Sequence, residues 1–278
     1  MSRTKKRAIA RNLTYVFLTV VFLIQMFPMA CLLLNSFSTT KALRANVLDL
    51  SFQFYWQNYT HVWDSGNYSI AYINSIKIGV CTVIIVLVSN SLAAYALTKM
   101  NPIGRNFWVG YLFVAVSIPG FAFLVPVFFI FSRVGLINNL FGIILIISAM
   151  QIPFSLLLMR SFFIGIPTSL EDAARIDGCS ELKTLIYIIA PLSVPILSTV
   201  ALLSFVGAWN EFLFSNTFLQ DNMLRTVSVR LYVFTGRYNS QIAYVYTAAM
   251  IAILPIILAY MLFQRTFIEG MIAGSIKG

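Results

Sequence analysis

The chain has 278 residues, of which 59% are hydrophobic and only 10% are charged, and its mean hydropathy is +0.85. Soluble globular domains carry about 25% charged residues, so this composition excludes an ordinary soluble domain and indicates an integral membrane protein. The net charge of +10 does not indicate a nucleic-acid partner, because the basic residues lie between apolar runs, where they set membrane topology.

Six charge-free runs predict the membrane-spanning elements. Each run exceeds the roughly 20 residues that a helix needs to cross the hydrocarbon core. Backbone groups in lipid must be satisfied within the segment, and the runs are too long for barrel strands, so we expect helices. The runs are 12–40, 78–98, 106–132, 134–159, 184–210 and 238–264. The predicted fold class is an all-α integral membrane protein with six transmembrane helices.

Charged and helix-breaking residues shape these runs further. Arg133 alone separates the third run from the fourth, and Gly135 follows it, which predicts a tight helical hairpin. Pro119 and Pro126 in the third run and Pro153 in the fourth predict kinks.

Basic residues predict the orientation of the chain. The segment MSRTKKRAIAR precedes the first run and is interpreted as a signal anchor with a cytoplasmic start, because the apolar run is too long for a signal peptide. With that start, 12 of the 19 basic residues fall in inside segments and six in outside segments, with Lys77 at the outer edge of the second span. The positive-inside rule therefore places both termini in the cytoplasm.

The first outer loop, about 37–71, is polar and aromatic. Trp56, Tyr59, Trp63 and Tyr68 predict an interfacial belt or a short helix on the membrane surface. Stacking on a sugar is the alternative.

A polar stretch from Leu170 to Pro191 interrupts the second half of the chain. Thr168 and Glu171 are spaced as a capping box, with Ser169 and Asp172 as a second register. Gly178 should end this helix and Ser180 should cap the next. We therefore expect two short cytoplasmic helices that meet at a glycine.

Ala173 and Ala174 are expected to give the first of these helices a small, flat face. Such a face suits a helix seated in a cleft of another protein. A helix lying along lipid headgroups would carry large apolar or basic residues instead, whereas this one begins with acidic residues.

The sequence of this polar stretch resembles a motif of a known protein family. EDAARIDGCSELKTLIYIIAPLSVP is similar to the "EAA" loop of ABC importer permeases, with Glu171, Ala173 or Ala174, Asp177-Gly178 and Ala190-Pro191 at the matching positions. The last pair departs from the usual Leu-Pro. Three further blocks resemble the carbohydrate branch, specifically the smaller six-span permease of maltose-type importers, over about 68–278. They are Asn74–Ile76 with AAYALTKMNPIGR, Phe205–Ser215 and Gln264–Gly278.

The resemblance implies a type I ABC importer permease in a prokaryotic plasma or inner membrane. It would consist of 1–67 (cytoplasmic start, first span and outer loop), a five-helix core 68–266 that includes the cytoplasmic coupling loop 161–183, and a cytoplasmic tail 267–278. The implied partners are a second, homologous permease in a heterodimer, two ATPase subunits, an extracellular solute-binding protein, membrane lipid and a sugar.

The coupling helix would dock on an ATPase subunit through a set of residues in the polar stretch: Glu171, Asp172, Ala173, Ala174, Arg175, Asp177 and Gly178. The tail would dock through Glu269, Gly270 and Gly274, and its glycines predict that it is not a stable helix. The chain has no G-x-x-x-x-G-K-[ST] loop, so it is expected to be no enzyme and to bind no cofactor, with ATP and magnesium on the ATPase subunits.

Trp209, Asn210 and Glu211 close the fifth run and are candidates for the substrate path, because an indole can stack on a sugar and the polar groups can bind hydroxyls. The alternative is that Trp209 anchors at the outer interface and Glu211 lies in water. The outer loop, about 216–240, is the expected surface for the solute-binding protein.

A self-contained transporter and a membrane enzyme are the two other classes of membrane protein to compare with these residues. A self-contained secondary transporter or channel needs ionisable residues inside its spans, and the charge-free runs contain none. A membrane enzyme needs an acid–base pair or metal cluster, which His61, three scattered cysteines and dispersed carboxylates do not supply. An importer of a non-sugar solute remains open.

Overall fold

The computed structural model describes residues 3–47, 53–237 and 241–275, and all regular structure in these ranges is helical. A 3₁₀ turn covers Gly120–Phe123, another covers Asn222–Leu224, and a π turn covers Leu185–Ile189. The α-helices are α1 Arg3–Ser36, α2 Thr40–Ala45, α3 Gln57–Ser65, α4 Tyr68–Lys99, α5 Arg105–Ser117, α6 Leu124–Arg133, α7 Leu140–Ile164, α8 Ser169–Ile176, α9 Glu181–Thr184, α10 Ala190–Leu192, α11 Val194–Asn210, α12 Leu213–Phe218, α13 Val227–Arg237 and α14 Ile242–Ser275.

Four helices of the described residues are long and apolar enough to cross a membrane, and two bent pairs bring the number to six if each pair is one span. The four are Arg11–Ser36, Tyr68–Lys99, Leu140–Ile164 and Ile242–Gln264. The all-α membrane class is therefore confirmed. Charge-free runs underestimate α4, which begins ten residues before residue 78 because Lys77 is accommodated within the helix.

The third predicted span is not one helix. Arg105–Ser117 and Gly120–Arg133 meet at a bend of 90°. Ile118 is extended, with ψ 123°, because the ring of Pro119 disfavours the helical conformation of the residue before it. After α6, Gly135 at φ +71° turns the chain, so the predicted break between the third and fourth runs is confirmed.

The fifth predicted span is also broken. Glu181–Leu192 and Val194–Asn210 are bent by 83°. Pro191 and Pro195 lack N–H groups and interrupt the helical ladder, and the π turn precedes them. The prediction of a single helix over 184–210 was wrong because it relied on charge alone.

The chain forms two compact units, and the first comprises Met1–Tyr68 and Leu231–Ile253. In the interior of this unit, the carbonyl of the buried Ser36 accepts hydrogen bonds from the Asn58 amide at 3.1 Å and from the Thr247 hydroxyl at 2.8 Å. The expected short helix of the first outer loop is α3. Just before and within it, Trp56 stacks on Tyr59 with ring centroids 5.0 Å apart, so these rings contact one another.

The second unit comprises Ser69–Arg230 and Leu254–Gly278 and has two apolar clusters. One cluster joins α4, α5, α7 and α11 around Tyr95, Phe163 and Ile196. Inside this unit the buried Asn90 amide donates to the Ser155 hydroxyl at 3.0 Å and so links α4 to α7. Polar contacts of this kind hold neighbouring helices together where lipid supplies no hydrophobic driving force.

The last helix corrects the prediction for the tail. α14 continues to Ser275 and includes Glu269, Gly270 and Gly274. Each helical glycine costs about 1 kcal/mol relative to alanine, but a helix that is already nucleated extends without a further nucleation penalty. Residues 276–278, which belong to the predicted tail, lie outside the described residues.

Candidate functional site

The polar stretch forms the two short helices that were predicted, α8 and α9, with Gly178 between them. Gly178 has φ +77°, the left-handed conformation that ends many helices. The N–H of Cys179 donates to the Ala174 carbonyl at 2.9 Å, and that of Gly178 to the Arg175 carbonyl at 3.1 Å. These two bonds form a Schellman motif, which gives the turn a defined shape.

The predicted side-chain caps are absent from this stretch. Thr168 has φ −66° and ψ −23° and makes no capping bond, and Ser169 is already helical. A capping residue normally has an extended backbone, which neither residue has, and the Glu171 carboxylate that would complete the first box is paired with Lys99. Ser180 does precede α9 in an extended conformation, but its side chain makes no capping hydrogen bond.

The helix α8 has an inward and an outward face. Glu171 and Ala174 are buried, at 3% and 2% exposure, whereas Ala173 is exposed and Ile176 is 86% exposed. The prediction that Ala173 and Ala174 share a face was wrong, because neighbouring residues of a helix point about 100° apart. The outward face also carries Leu170.

Lys99, the last residue of α4, contacts the inward face of α8. Its ammonium lies 2.7 Å from the Glu171 carboxylate, and both side chains are 3% exposed. The same ammonium donates a hydrogen bond of 2.7 Å to the carbonyl of Ile166. Glu171, which the resemblance assigned to docking, therefore faces its own chain in this structure.

Tyr95, one turn earlier in α4, holds the start of α9. Its hydroxyl donates to the Glu181 carboxylate at 2.6 Å, and the Arg175 guanidinium donates to the same carboxylate at 3.0 Å. Arg175 also lies 3.5 Å from Asp172. The hydrogen bond to Glu181 and that residue's charge raise the pKa of the Arg175 guanidinium above its ordinary value.

The remaining residues of the predicted docking set, Asp172, Asp177 and Gly178, are exposed. Together with Leu170, Ala173 and Ile176 they form what we call the outward surface of α8. Sequence reasoning missed Ile176, Lys99 and Tyr95. The three-residue spacing of Glu171 and Ala174 was the available signal for an inward face.

The three candidates for the substrate path have separate surroundings. Trp209 is 2% exposed, stacks on Phe205 at 5.8 Å and meets Tyr72 edge-on at 5.5 Å, so it is packed inside the protein rather than at an interface. Asn210 is exposed. Glu211 is partly buried and caps the helix α12.

The Glu211 carboxylate accepts the N–H groups of Phe214 and Ser215, at 2.7 and 2.8 Å, and the Ser215 hydroxyl at 2.7 Å. It thereby satisfies two N–H groups in the first turn of α12, the usual task of a residue at a helix start. Glu211, a predicted candidate for the substrate path, therefore has a structural role within the chain.

The outer loop after α12 is tied to α4. The Asn74 amide donates to the Met223 carbonyl at 2.9 Å, and the N–H of Val227 donates to the Ser75 hydroxyl at 2.9 Å. Asn74 and Ser75 are 5% and 2% exposed. These two residues are the polar part of the Asn74–Ile76 block, so that block serves to hold the loop.

A groove of about 900 Å³ lies between α5, α6 and α7. Its lining is mainly aliphatic and aromatic, including Val116, Phe131 and Met150. Sugars need several hydrogen-bonding partners, which this lining does not supply. The groove is therefore a surface for apolar contact rather than a sugar cradle.

Known proteins resemble this chain over most of its length. Residues 85–272 match the family described as binding-protein-dependent transport system inner membrane component. The chain is 29% identical, over 99% of its length and 91% of the relative's, to a probable ABC transporter permease protein, YurM, of Bacillus subtilis. It is 30% identical, over 100% of both chains, to the arabinooligosaccharides transport system permease protein AraQ of Halalkalibacterium halodurans.

A solved structure has the same fold. The crystal structure of a bacterial ABC transporter involved in the import of the acidic polysaccharide alginate contains a chain that matches with a TM-score of 0.80. The two chains are 26% identical, and the match covers 96% of this chain and 99% of that one.

Proposed function

This chain belongs to the family of binding-protein-dependent transport system inner membrane components, and we propose from this premise that it is the permease subunit of an ABC importer for a sugar or oligosaccharide. The observation that carries the proposal is the full-length similarity to a permease of arabinooligosaccharide transport. The match to a chain of an alginate importer supports it.

In the proposed assembly the outward surface of α8 docks on a cytoplasmic ATPase subunit. Ile176 is the most exposed apolar residue of this surface and supplies the hydrophobic contact, while Asp172 and Asp177 supply charge. Glu171 and Ala174, on the inward face, attach α8 to the rest of the chain. In water, the exposed side chain of Ile176 has no apolar neighbour to pack against. This exposure supports a protein partner at this surface.

The C-terminal part of α14 would provide a second contact with the ATPase pair through Glu269, Gly270 and Gly274. A continuous helix suits this role, because it extends beyond the membrane-spanning part Ile242–Gln264 without a break. Both termini then lie in the cytoplasm, as the distribution of basic residues predicts.

The other partners follow from the same proposal. A second, homologous permease forms a heterodimer with this chain, two ATPase subunits bind ATP and magnesium, and an extracellular solute-binding protein delivers the sugar to the outer loop that begins near residue 216. This chain itself holds no nucleotide. Closure of the ATPase pair moves α8 and switches the spans between inward-facing and outward-facing states.

Of the substrate-path candidates, Asn210 is the one whose side chain is exposed, so we propose that it contacts the sugar. The buried Trp209 packs on Phe205 and supports the substrate path without contacting the sugar itself. We assign Glu211 to capping α12, where its oxygens accept three hydrogen bonds, rather than to the sugar.

The test is uptake by the complete importer in proteoliposomes. The chain is reconstituted with the second permease, both ATPase subunits and the solute-binding protein, and a panel of labelled oligosaccharides, amino acids and peptides is offered with ATP inside. We expect uptake of one or a few oligosaccharides only. Uptake of an amino acid or peptide without any sugar would contradict the proposed substrate class.

A further inference from the structure

We propose that α4 is the rigid rod through which motion of the docking helix α8 reaches the outer loop Met223–Val227. In this inference Lys99 and Tyr95 are positioning residues at the cytoplasmic end of the rod, and Asn74 and Ser75 are positioning residues at its outer end. The inference rests on the proposed function, since it concerns the same α8.

The cytoplasmic end of α4 is attached on both sides of the Gly178 turn. Lys99 pairs with Glu171 of α8 at 2.7 Å, before the turn. Tyr95 bonds Glu181 of α9 at 2.6 Å, after it. Lys99 and Tyr95 are four residues apart and so lie on one face of α4. A turn that is held at both ends by one helix cannot act as a hinge, and α8 must move together with α4.

The burial of these contacts makes the attachment stiff. The side chains of Lys99 and Glu171 are both 3% exposed, so water does not replace their contact when α8 is pushed. Lys99 also bonds the carbonyl of Ile166, two residues after α7 ends. An ion pair of this kind has a defined geometry, because separating the partners would leave two charges without solvent.

The helix between the two ends is suited to carry displacement. α4 runs from Tyr68 to Lys99 without a proline or a break. Two other cytoplasmic-to-outer routes of this unit are bent, by 90° near Pro119 and by 83° near Ser193, and α7, which is continuous, carries Pro153 within it. Asn74 and Lys99 are 25 residues apart, which is about 38 Å along a helix axis.

The outer end is attached to the loop in a comparable way. Asn74 donates to the Met223 carbonyl at 2.9 Å, and it lies 3.3 Å from the Arg225 carbonyl, which also accepts from its amide. Ser75 accepts the N–H of Val227 at 2.9 Å. The loop is therefore bonded at several backbone positions to the same helix that carries Lys99 and Tyr95.

The experiment measures the number of sugar molecules imported per ATP hydrolysed by the complete importer in proteoliposomes. The variants are Lys99→Gln, the charge swap Lys99→Glu with Glu171→Lys, Tyr95→Phe and Asn74→Ala. Arg105→Gln is the matched control, because Arg105 follows Lys99 closely in sequence and its exposed guanidinium donates a hydrogen bond to Asn101 rather than to α8 or α9. Co-purification of the ATPase subunits is measured for each variant.

We expect Lys99→Gln and Asn74→Ala to lower the import-to-hydrolysis ratio about tenfold, within the usual range of coupling between sites, while the ATPase subunits still co-purify. The charge swap should restore part of the ratio, because it forms the ion pair again but leaves the Ile166 carbonyl without its donor, and Arg105→Gln should leave the ratio unchanged. Tyr95→Phe removes a single oxygen atom, so it folds even if Lys99→Gln does not, and it should lower the ratio in the same direction.

An unchanged ratio in Asn74→Ala and Tyr95→Phe would overturn the inference while sugar import by the wild type upheld the proposed function. A charge swap that stays uncoupled, together with loss of the ATPase subunits from Lys99→Gln, would also overturn it, since Glu171 would then act on the partner. A wild-type assembly that imports no sugar with ATP would contradict the proposed function and the inference together.

Discussion

The ammonium of Lys99 and the carboxylate of Glu171 lie 2.7 Å apart and are both 3% exposed. They come from the end of α4 and the first turn of α8, 72 positions apart in sequence. Because neither charge is solvated, each is stable in its position only while the other is present. Glu171 therefore fixes the position of α8, and the outward surface of α8 is formed by other residues.

The first prediction concerns this pair. Lys99→Met leaves the Glu171 carboxylate buried without a counter-charge and should lower the free energy of unfolding by roughly 3–5 kcal/mol. The double variant Lys99→Met with Glu171→Met removes both charges and should regain most of that loss. Thermal unfolding of the detergent-solubilised complex measures both. Equal midpoints for wild type and Lys99→Met would show that the pair does not form.

The second prediction concerns Ile176. Its side chain is 86% exposed, so Ile176→Asp should leave the fold intact and weaken association with the ATPase subunit by about 30-fold, as expected for a central contact residue. Binding of purified ATPase to the permease measures the effect. Ile103→Asp is the control, because Ile103 is also fully exposed, in the turn after α4. If both variants bind as wild type does, α8 does not dock through this residue.

The third prediction concerns Glu211. Glu211→Ala removes the acceptor for the N–H groups of Phe214 and Ser215 and should lower the free energy of unfolding by about 0.5–2 kcal/mol, the usual range for a helix cap. The apparent affinity of the importer for its sugar should not change. Uptake at several sugar concentrations checks this. A weaker affinity with unchanged thermal stability would return Glu211 to the substrate path.

The fourth prediction uses two glycines of opposite character. Gly178 has φ +77°, so Gly178→Ala should lower the free energy of unfolding by about 1 kcal/mol, since side chains disfavour that conformation. Gly110 lies within α5 with open space around its Cα, so Gly110→Ala should raise it by about 0.5–1 kcal/mol. Opposite signs in thermal unfolding confirm both geometries, and a stabilising Gly178→Ala contradicts the turn.

Composition and charge-free runs were enough to predict the helical membrane class, because lipid leaves the backbone few other choices. They did not reveal the bend near Pro191, and the bend near Pro119, where a kink was predicted from the proline, has a size of 90° that they did not indicate. Those bends arise from missing N–H groups and from proline rings, which a count of charges does not register. The prolines were visible, but how far they bend a helix depends on its neighbours.

The helices α8 and α9 also combine features that the sequence predicts with one that it does not. The two short helices and the Gly178 turn follow from local sequence signals, since a glycine with positive φ needs no distant partner. The direction in which Glu171 points depends on Lys99 and could not be read locally. The capping box and the inward ion pair are competing uses of one carboxylate, and the buried counter-charge is the stronger partner.

The most direct test of the central claim is ATP-dependent uptake of labelled oligosaccharide into proteoliposomes, with this chain alone and with the complete set of partner subunits. The account predicts uptake only in the complete assembly, and only with hydrolysable ATP inside the vesicles. Uptake by this chain alone, without ATP, would contradict it and would indicate a self-contained transporter.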